Sequence, residues 1–515
     1  MLSSLVQNGY SQLYPDSVYY RDMVFERGDS LLGDEEKSRV FGDVIFRHKD
    51  VRFRSDSAYH YEKRGEFHGF SRVKITQGDS VELTGDTLYY YEQKELAEVF
   101  GNVVFKDKET TLYTDHLLYD TKLKQAYYYE DGRVLDGENV LTSLKGTYAV
   151  NTKTYHFKTN VKINNPTYIL LADTLDYNSL SSIAYFTGPT HIYTADKHLY
   201  AEDGEYHSIP KLSYFNDNAV VETETYILKG DSLYYDEQFD NGIATQHVVM
   251  ISKTDSLAIF GQKAYRWGSL GYSKVYDEAL CLHFAGTDTL FLEADTLVAI
   301  DDSTSINDYI LAYDSANFYR SDMQGVCDSL VYDVADSIIY LNFDPVMWNT
   351  SNQITADSLF IKLNGDDIER MYARKNSFAI SQDSLGLFNQ MQGRDMTTYF
   401  KNSNVDRIEV EGNAENIYYS LDGDSVLTGM NRVKSSNTTI WFLNGEMHKI
   451  KYDYEPEGLY IPPSELTPEV ERLSGYVWRI EEKPIRKNYS FNKPLLDLMP
   501  AEYYKYSKEL TILPK

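Results

Sequence analysis

Cysteine is nearly missing from this chain of 515 residues: Cys281 and Cys327 are the whole supply. No disulfide framework is readable from two residues, and both are expected as buried free thiols. Proline (13) and tryptophan (4) are scarce too, while Tyr, Val, Ile and Thr are common, which leans toward strand. No stretch approaches the roughly 18 apolar residues of a membrane-spanning helix. The opening MLSSLVQNGYSQLYPD has neither the basic start nor the apolar run of a signal peptide. Positive charge is short as well: 50 Lys plus Arg face 78 Asp plus Glu, a net charge of −28. Nucleic acid is thereby excluded as a partner, because affinity for a phosphate backbone comes mostly from Lys and Arg. An anionic membrane surface would repel the chain. A ligand, if there is one, is recognised by apolar contact.

The signatures of catalysis are also lacking. There is no GxSxG, no Walker A motif, and no GxGxxG leading into a helix. The eleven His residues are scattered without metal-ligand spacing. Regular Asp residues could suggest calcium, but Gly-rich Asp nonapeptides and EF-hand loops do not occur. Arg27-Gly28-Asp29 matches an adhesion tripeptide, yet it is also the first copy of a repeat and is read as structure. The expectation is a protein that is not an enzyme and needs no metal or cofactor.

What the chain does have is a repeat. A small residue, then Asp, Ser or Thr, Leu, any residue and Tyr recurs as SDSAYHY at 55, GDTLYYY at 85, TDHLLYD at 114, ADTLDYN at 172, GDSLYYD at 230, ADTLVAI at 294, CDSLVYD at 327 and ADSLFIK at 356. Weaker copies fill the gaps, and the steps run from 27 to 38 residues with a period near 30. A second mark falls between: FGDVIF at 41, FGNVVF at 100, TNVKI at 159 and TGPTHI at 187. Each unit therefore holds two extended segments joined by polar turns such as YEQKE (91–95) and KDKET (106–110). Alternation of period two recurs, and helical spacing is nowhere sustained.

Alternation assigns faces. Leu88 with Tyr90, Leu117 with Tyr119, Leu175 with Tyr177, Leu233 with Tyr235, and Leu330 with Tyr332 form columns on one apolar face. Asp86, Asp115, Asp173, Asp231 and Asp328 share that phase, which is awkward in a flat strand. A small residue plus Asp, or Gly plus Asn, is a bend signature. Each segment is therefore expected to fold there and serve two sheets, with the Asp side chains bonding backbone N–H groups at the crease. The cross-section would be a V or flattened roll. Roughly 24 segments at about 4.8 Å spacing would stack to on the order of 100 Å. Whether the columns line an open trough or simply pack as a filled core, the residues leave open: each buried side chain contributes roughly 1.5–3 kcal/mol either way. Regularity fades after about residue 365. Thr467 as N-cap, Pro468 at the first helical position and Gly475 beyond the end predict one short helix near the C-terminus. The expected organisation is an N-terminal segment (1–24), repeats (25–240), more divergent repeats (241–453) and a Pro-containing tail (454–515).

In ADTLDYN and FGNVVF the chain resembles the OstA-like (LptA) family of lipopolysaccharide-transport proteins, as a long multi-repeat member. Gly85-Asp86-Thr87-Leu88-Tyr89-Tyr90 and Gly101-Asn102-Val103-Val104-Phe105 carry the resemblance, which covers 25–365 well and 390–450 loosely. It implies an all-β, antiparallel jelly roll or "taco" whose apolar interior, lined here by the ten Leu and Tyr residues above, carries lipopolysaccharide acyl chains. It also implies end-to-end joining with other such proteins, including the outer-membrane translocon, through open edge strands. The periplasm is the implied compartment, so an export signal is expected upstream of Met1. The rival expectation is a cell-envelope scaffold with a filled core and no cargo.

Overall fold

The structure is a computed structural model. It describes every residue except 1–17, 21–22, 34–35, 109, 255, 286–287, 301–307, 366, 402–403, 424–425, 444–445, 486–498 and 506–515. Most of the N-terminal segment and part of the tail thus lie outside the described residues. The chain divides into two compact units, one formed by 1–223 with 499–515 and the other by 224–498.

Both units are built the same way. Successive strands pair antiparallel with their sequence neighbours, as in Val51–Tyr61, Glu66–Gln77, Val81–Tyr91, Leu96–Asp107 and Thr110–Asp120 of the first unit. In the second unit Tyr226–Asp236, Asn241–Ser252, Leu257–Trp267 and Tyr272–Ala285 continue the pattern. Tight turns suit this meander. Their last residue takes a left-handed conformation, as at Gly65, Glu95, Lys124 and Lys153. The turns stack on one another through backbone bonds, with the N–H of Glu92 donating to Gly65 (2.9 Å), Thr121 to Glu95 (2.9 Å) and Val150 to Lys124 (3.0 Å).

The strands are not flat. Register breaks in the middle of nearly every pairing, for example between Thr84 and Thr87 on one strand and Phe100 and Val103 on the next. The breaks line up as a crease that folds each sheet double into two arms. At the crease every second strand carries two successive positive φ angles: Ser71-Arg72 (62°, 49°), Gly101-Asn102 (74°, 47°), Thr159-Asn160 (69°, 53°) and Gln246-His247 (60°, 48°). Two such residues in a row turn the strand through the corner. Gly101 is needed there twice over, because a Cβ would also lie 2.5 Å from Asp86 Oδ2.

This corrects one expectation. Asp86, Asp115, Asp173, Asp231 and Asp328 do lie at the register breaks. None of the five has positive φ; the corner is turned by the neighbouring strand. Nor do the side-chain contacts of Asp86, Asp173 and Asp231 run to backbone N–H groups. Asp86 accepts from Asn102 Nδ2 at 2.8 Å, Asp231 pairs with His247 Nδ1 at 2.8 Å, and Asp173 lies 3.5 Å from Lys505 Nζ. Asp328 itself donates, its own N–H bonding to Phe343 O at 3.2 Å. The break shifts the strand's phase, so Asp86 is exposed although Leu88, two residues on, is buried. That resolves the awkward phase.

The short helix is a second correction. Thr467–Gly475 forms two separate turns instead: Thr467 O accepts from Val470 N (2.9 Å) and Glu471 N (3.0 Å), and Leu473 O accepts from Tyr476 N (3.1 Å). The reason is tertiary: Leu473 is buried against Phe378, Ile380, Ile417, Tyr419, Met430 and Ile461, with Leu466, Val470, Tyr476 and Trp478 packed around it. Those positions reach the sheet from an irregular strap better than from one helical face.

Candidate functional site: the space between the arms

Inside the first unit the alternation places its columns as the phase demands. Leu88, Tyr90, Leu117, Tyr119, Leu175 and Tyr177 are all at most 1% exposed, between the arms. Phe46, Phe53, Phe67, Val99 and Phe105 fill the room beside them, with Phe53 and Tyr90 ring centroids 4.4 Å apart.

A phenol cannot be buried without a partner for its hydroxyl. Here the partners recur. Tyr90 Oη lies 2.6 Å from His48 Nδ1, and Tyr119 donates to Gln77 Oε1 at 2.5 Å. Tyr148 donates to Asp107 Oδ2 at 2.7 Å, and Tyr177 to Asp136 Oδ2 at 2.7 Å while accepting from Asn139 Nδ2 at 3.0 Å. The tyrosines step by 29 residues each time and their partners by 29, 30 and 29, read from the residue numbers. Each tyrosine ends a strand of one arm, and each partner ends a strand of the other. The bonds therefore cross the mouth of the V and hold its two rims together. Further bonds join the same rims: Lys49 Nζ to Glu95 Oε1 (2.5 Å), Gln77 Nε2 to Thr121 O (2.8 Å), and Lys153 to Asp107. Between residues 48 and 177 the roll is laced shut.

Burial pushes the phenols of Tyr90, Tyr119, Tyr148 and Tyr177 well above their ordinary range, so all four are neutral at pH 7. The two carboxylates differ. Burial would raise Asp107, but hydrogen bonds from Lys153 and Tyr148 outweigh it and hold the group below the usual value. Asp136, with Tyr177 opposite, is raised by burial.

Farther along the first unit, residues 499–505 take over the rim. Tyr503 donates to Glu222, and its ring lies 4.5 Å from that of His198. His191 beside them is fully buried, and burial, with the charges of His198 and Lys505, brings its imidazole down to about 3. A concavity of about 430 Å³ in this unit lies on the outer side of the crease, among Asp176, Tyr185, Asp203, Glu205 and Tyr214.

In the second unit Leu233 and Tyr235 are buried and Leu330 is 3% exposed, whereas Tyr332 is half-buried. Tyr235 is satisfied locally, donating to Asp240 Oδ1 at 2.7 Å, an atom that also accepts from Tyr226 at 2.5 Å. Tyr332 lines an apolar cavity of about 20 Å³ with Cys281, Leu292, Phe318, Leu330 and Ile339. That is room for about one water, not for a hydrocarbon chain. Burial pushes the thiols of Cys281 and Cys327 up to about 12, which leaves them unreactive.

The sequence reading missed the partners rather than the columns. His48, Gln77, Asp107 and Asp136 close strands next to turns; in the sequence Asp107 reads as part of the turn KDKET, His48 as one of the scattered histidines, and Gln77 and Asp136 carry no motif of their own. Their signal is a polar residue in the inward phase, 41 or 42 positions before a repeat tyrosine.

The pattern of the family described as "OstA-like protein" matches residues 24–173 and again 167–231. The matched residues, 24–231, make up less than half of the chain, and over them it is similar to OstA-like proteins. The laced stretch lies wholly inside the OstA-like region. Among solved structures the chain is similar to LptH of Pseudomonas aeruginosa, titled the LptA homologous periplasmic component of the conserved lipopolysaccharide transport device. The identity is 18%, over 26% of this chain and 79% of that one, with a TM-score of 0.14. No curated protein matches the chain.

Proposed function

We propose that this protein is a non-enzymatic periplasmic component of lipopolysaccharide transport, shielding acyl chains between its arms during outer-membrane assembly. It would hand cargo to other β-jelly-roll proteins, including the outer-membrane translocon, through edge-strand pairing. The observation that carries the reading is the OstA-like repeat with its unbroken inner columns at Leu88, Tyr90, Leu117, Tyr119, Leu175 and Tyr177. The net charge of −28 suits a cargo held by its apolar part. Loading requires the laced mouth to part. One lace contributes about 1 kcal/mol net, whereas burying an acyl chain of about a dozen carbons is worth on the order of 10 kcal/mol. Lacing alone does not bar a lipid.

A second reading is favoured by one observation: the inner columns pack against protein. Four cross-mouth tyrosines are completely buried, and the cavity beside Tyr332 holds about 20 Å³. On this reading the protein is an envelope scaffold with a packed core. A photo-crosslinking residue at Tyr177 or Leu233, with one at exposed Asp176 as control, separates the two. Lipopolysaccharide captured from the inner positions only supports carriage. Equal capture at all three, or none at the inner two in cells where transport proceeds, leaves the scaffold.

A further inference from the structure

The strap of the second unit is held in an unusual way. Gln353 and Gln390 are 2% and 3% exposed, on the inner face of one arm. Gln390 Nε2 donates to Glu471 O at 2.7 Å while its Oε1 accepts from Leu473 N at 2.8 Å. Gln353 repeats the arrangement six residues on, donating to Val477 O at 2.8 Å and accepting from Arg479 N at 2.7 Å. Each side-chain amide thus bonds the C=O of one residue and the N–H of the residue two further on, as a residue in a parallel strand does. Both glutamines read backbone, not side chains. Between them lies the apolar seat for Leu473, and past them Arg479 pairs with Asp344 (2.8 Å) and Lys483 Nζ bonds Thr350 O (2.7 Å).

A hydrocarbon chain offers neither a C=O nor an N–H at this spacing, and would leave two buried amides unsatisfied. The chemistry is complementary to an extended polypeptide. We infer that this inner face is a polypeptide-binding site, occupied here by the chain's own strap, and that the strap of a second copy takes the same seat. The strap enters through Pro462-Pro463, and after the strand Glu457–Ile461 it joins no ladder of the sheet. Every bond that holds it can therefore re-form with an identical segment supplied from outside, and only the tether differs. The inference does not rest on the lipid reading.

The test uses a synthetic peptide, Pro462 to Pro484, and the full-length chain. Leu473→Asp unseats the chain's own strap, and the peptide should then bind at least about tenfold tighter than it binds the unmodified chain. Adding Gln353→Met and Gln390→Met should take away about tenfold or more of that affinity. Equal binding to both chains, or indifference to the glutamines, overturns the proposal. Displacement of the peptide by dodecanoate or lipid A also overturns it, since it would mark the seat as lipid-reading. If the Leu473→Asp chain does not fold, a peptide with benzophenone at position 473 is incubated with the unmodified chain. Slow crosslinking to the segment containing Phe378 supports exchange, and its absence after days rejects it.

Discussion

The stretch from 48 to 177 and the C-terminal part of the second unit solve one problem by different means. Both fold a sheet double and must satisfy what faces inward near the open side. The first does it with its own repeats, a tyrosine from one arm reaching a His, Gln or Asp on the other. The second keeps inward glutamines and covers them with a separate segment of chain. A lace made of repeats is part of the sheet's own cooperativity; a cover made of a strap can leave while the sheet stays.

The sharpest way to break this contrast is at Tyr148, fully buried between Phe105, Tyr155 and the Asp107 bond. Tyr148→Ala should destabilise the first unit by about 3–5 kcal/mol, lowering its urea midpoint as a whole. Leu473→Ala in the strap is expected to lose about 2–3 kcal/mol locally. Hydrogen exchange should then accelerate across 466–480 while the amides of strands Asn404–Asp422 and Val426–Leu443 keep their protection. Loss of protection throughout the unit would erase the distinction.

Acid sharpens the comparison within the first unit. His191 has its imidazole lowered from 6.5 to about 3, so its contribution is present above pH 6.5 and is lost as the pH falls below that value. Asp107 is held below 3.8, so its contribution persists above pH 3.8 and is lost only as pH falls through its lower folded value. Exchange at Met499–Lys505 and around His191 should therefore speed up between pH 6.5 and 5, with the bonds that Asp107 makes to Tyr148 and Lys153 unchanged until below about 3.8. Simultaneous loosening would contradict the assignment. The smallest effect expected is at Asp136, whose raised carboxyl makes the ionised form unfavourable at neutral pH. Asp136→Asn keeps an acceptor for Tyr177 and should raise stability by up to about 1 kcal/mol at pH 7, with the gain vanishing near pH 3; a loss at pH 7 would show that charge is wanted there.

How much of this could be read in the residues depended on range. The columns at Leu88, Tyr90, Leu117 and Tyr119 were legible because alternation within eleven residues, repeated about every 30, is a local signal. The crease was half legible: Gly101-Asn102 announced a bend, but the Asp residues opposite were credited with a turn their neighbours make. Asp107 was read as part of the turn KDKET, because nothing within a dozen residues says that a phenol 41 positions later needs it. The strap was misread for the same reason. Thr467, Pro468 and Gly475 have the order of a helix, and the glutamines that hold the segment against the sheet are 81 to 126 residues away.

Between residues 48 and 177 each of the four lacing phenols reaches back 41 or 42 positions, about one and a half repeats. The stitches therefore overlap, and no repeat is fastened only to itself. Cutting out one whole period should leave the remaining stitches with partners at their usual distance, whereas excising half a period would misalign all that follow. A chain sewn in this way can change its length only in whole steps.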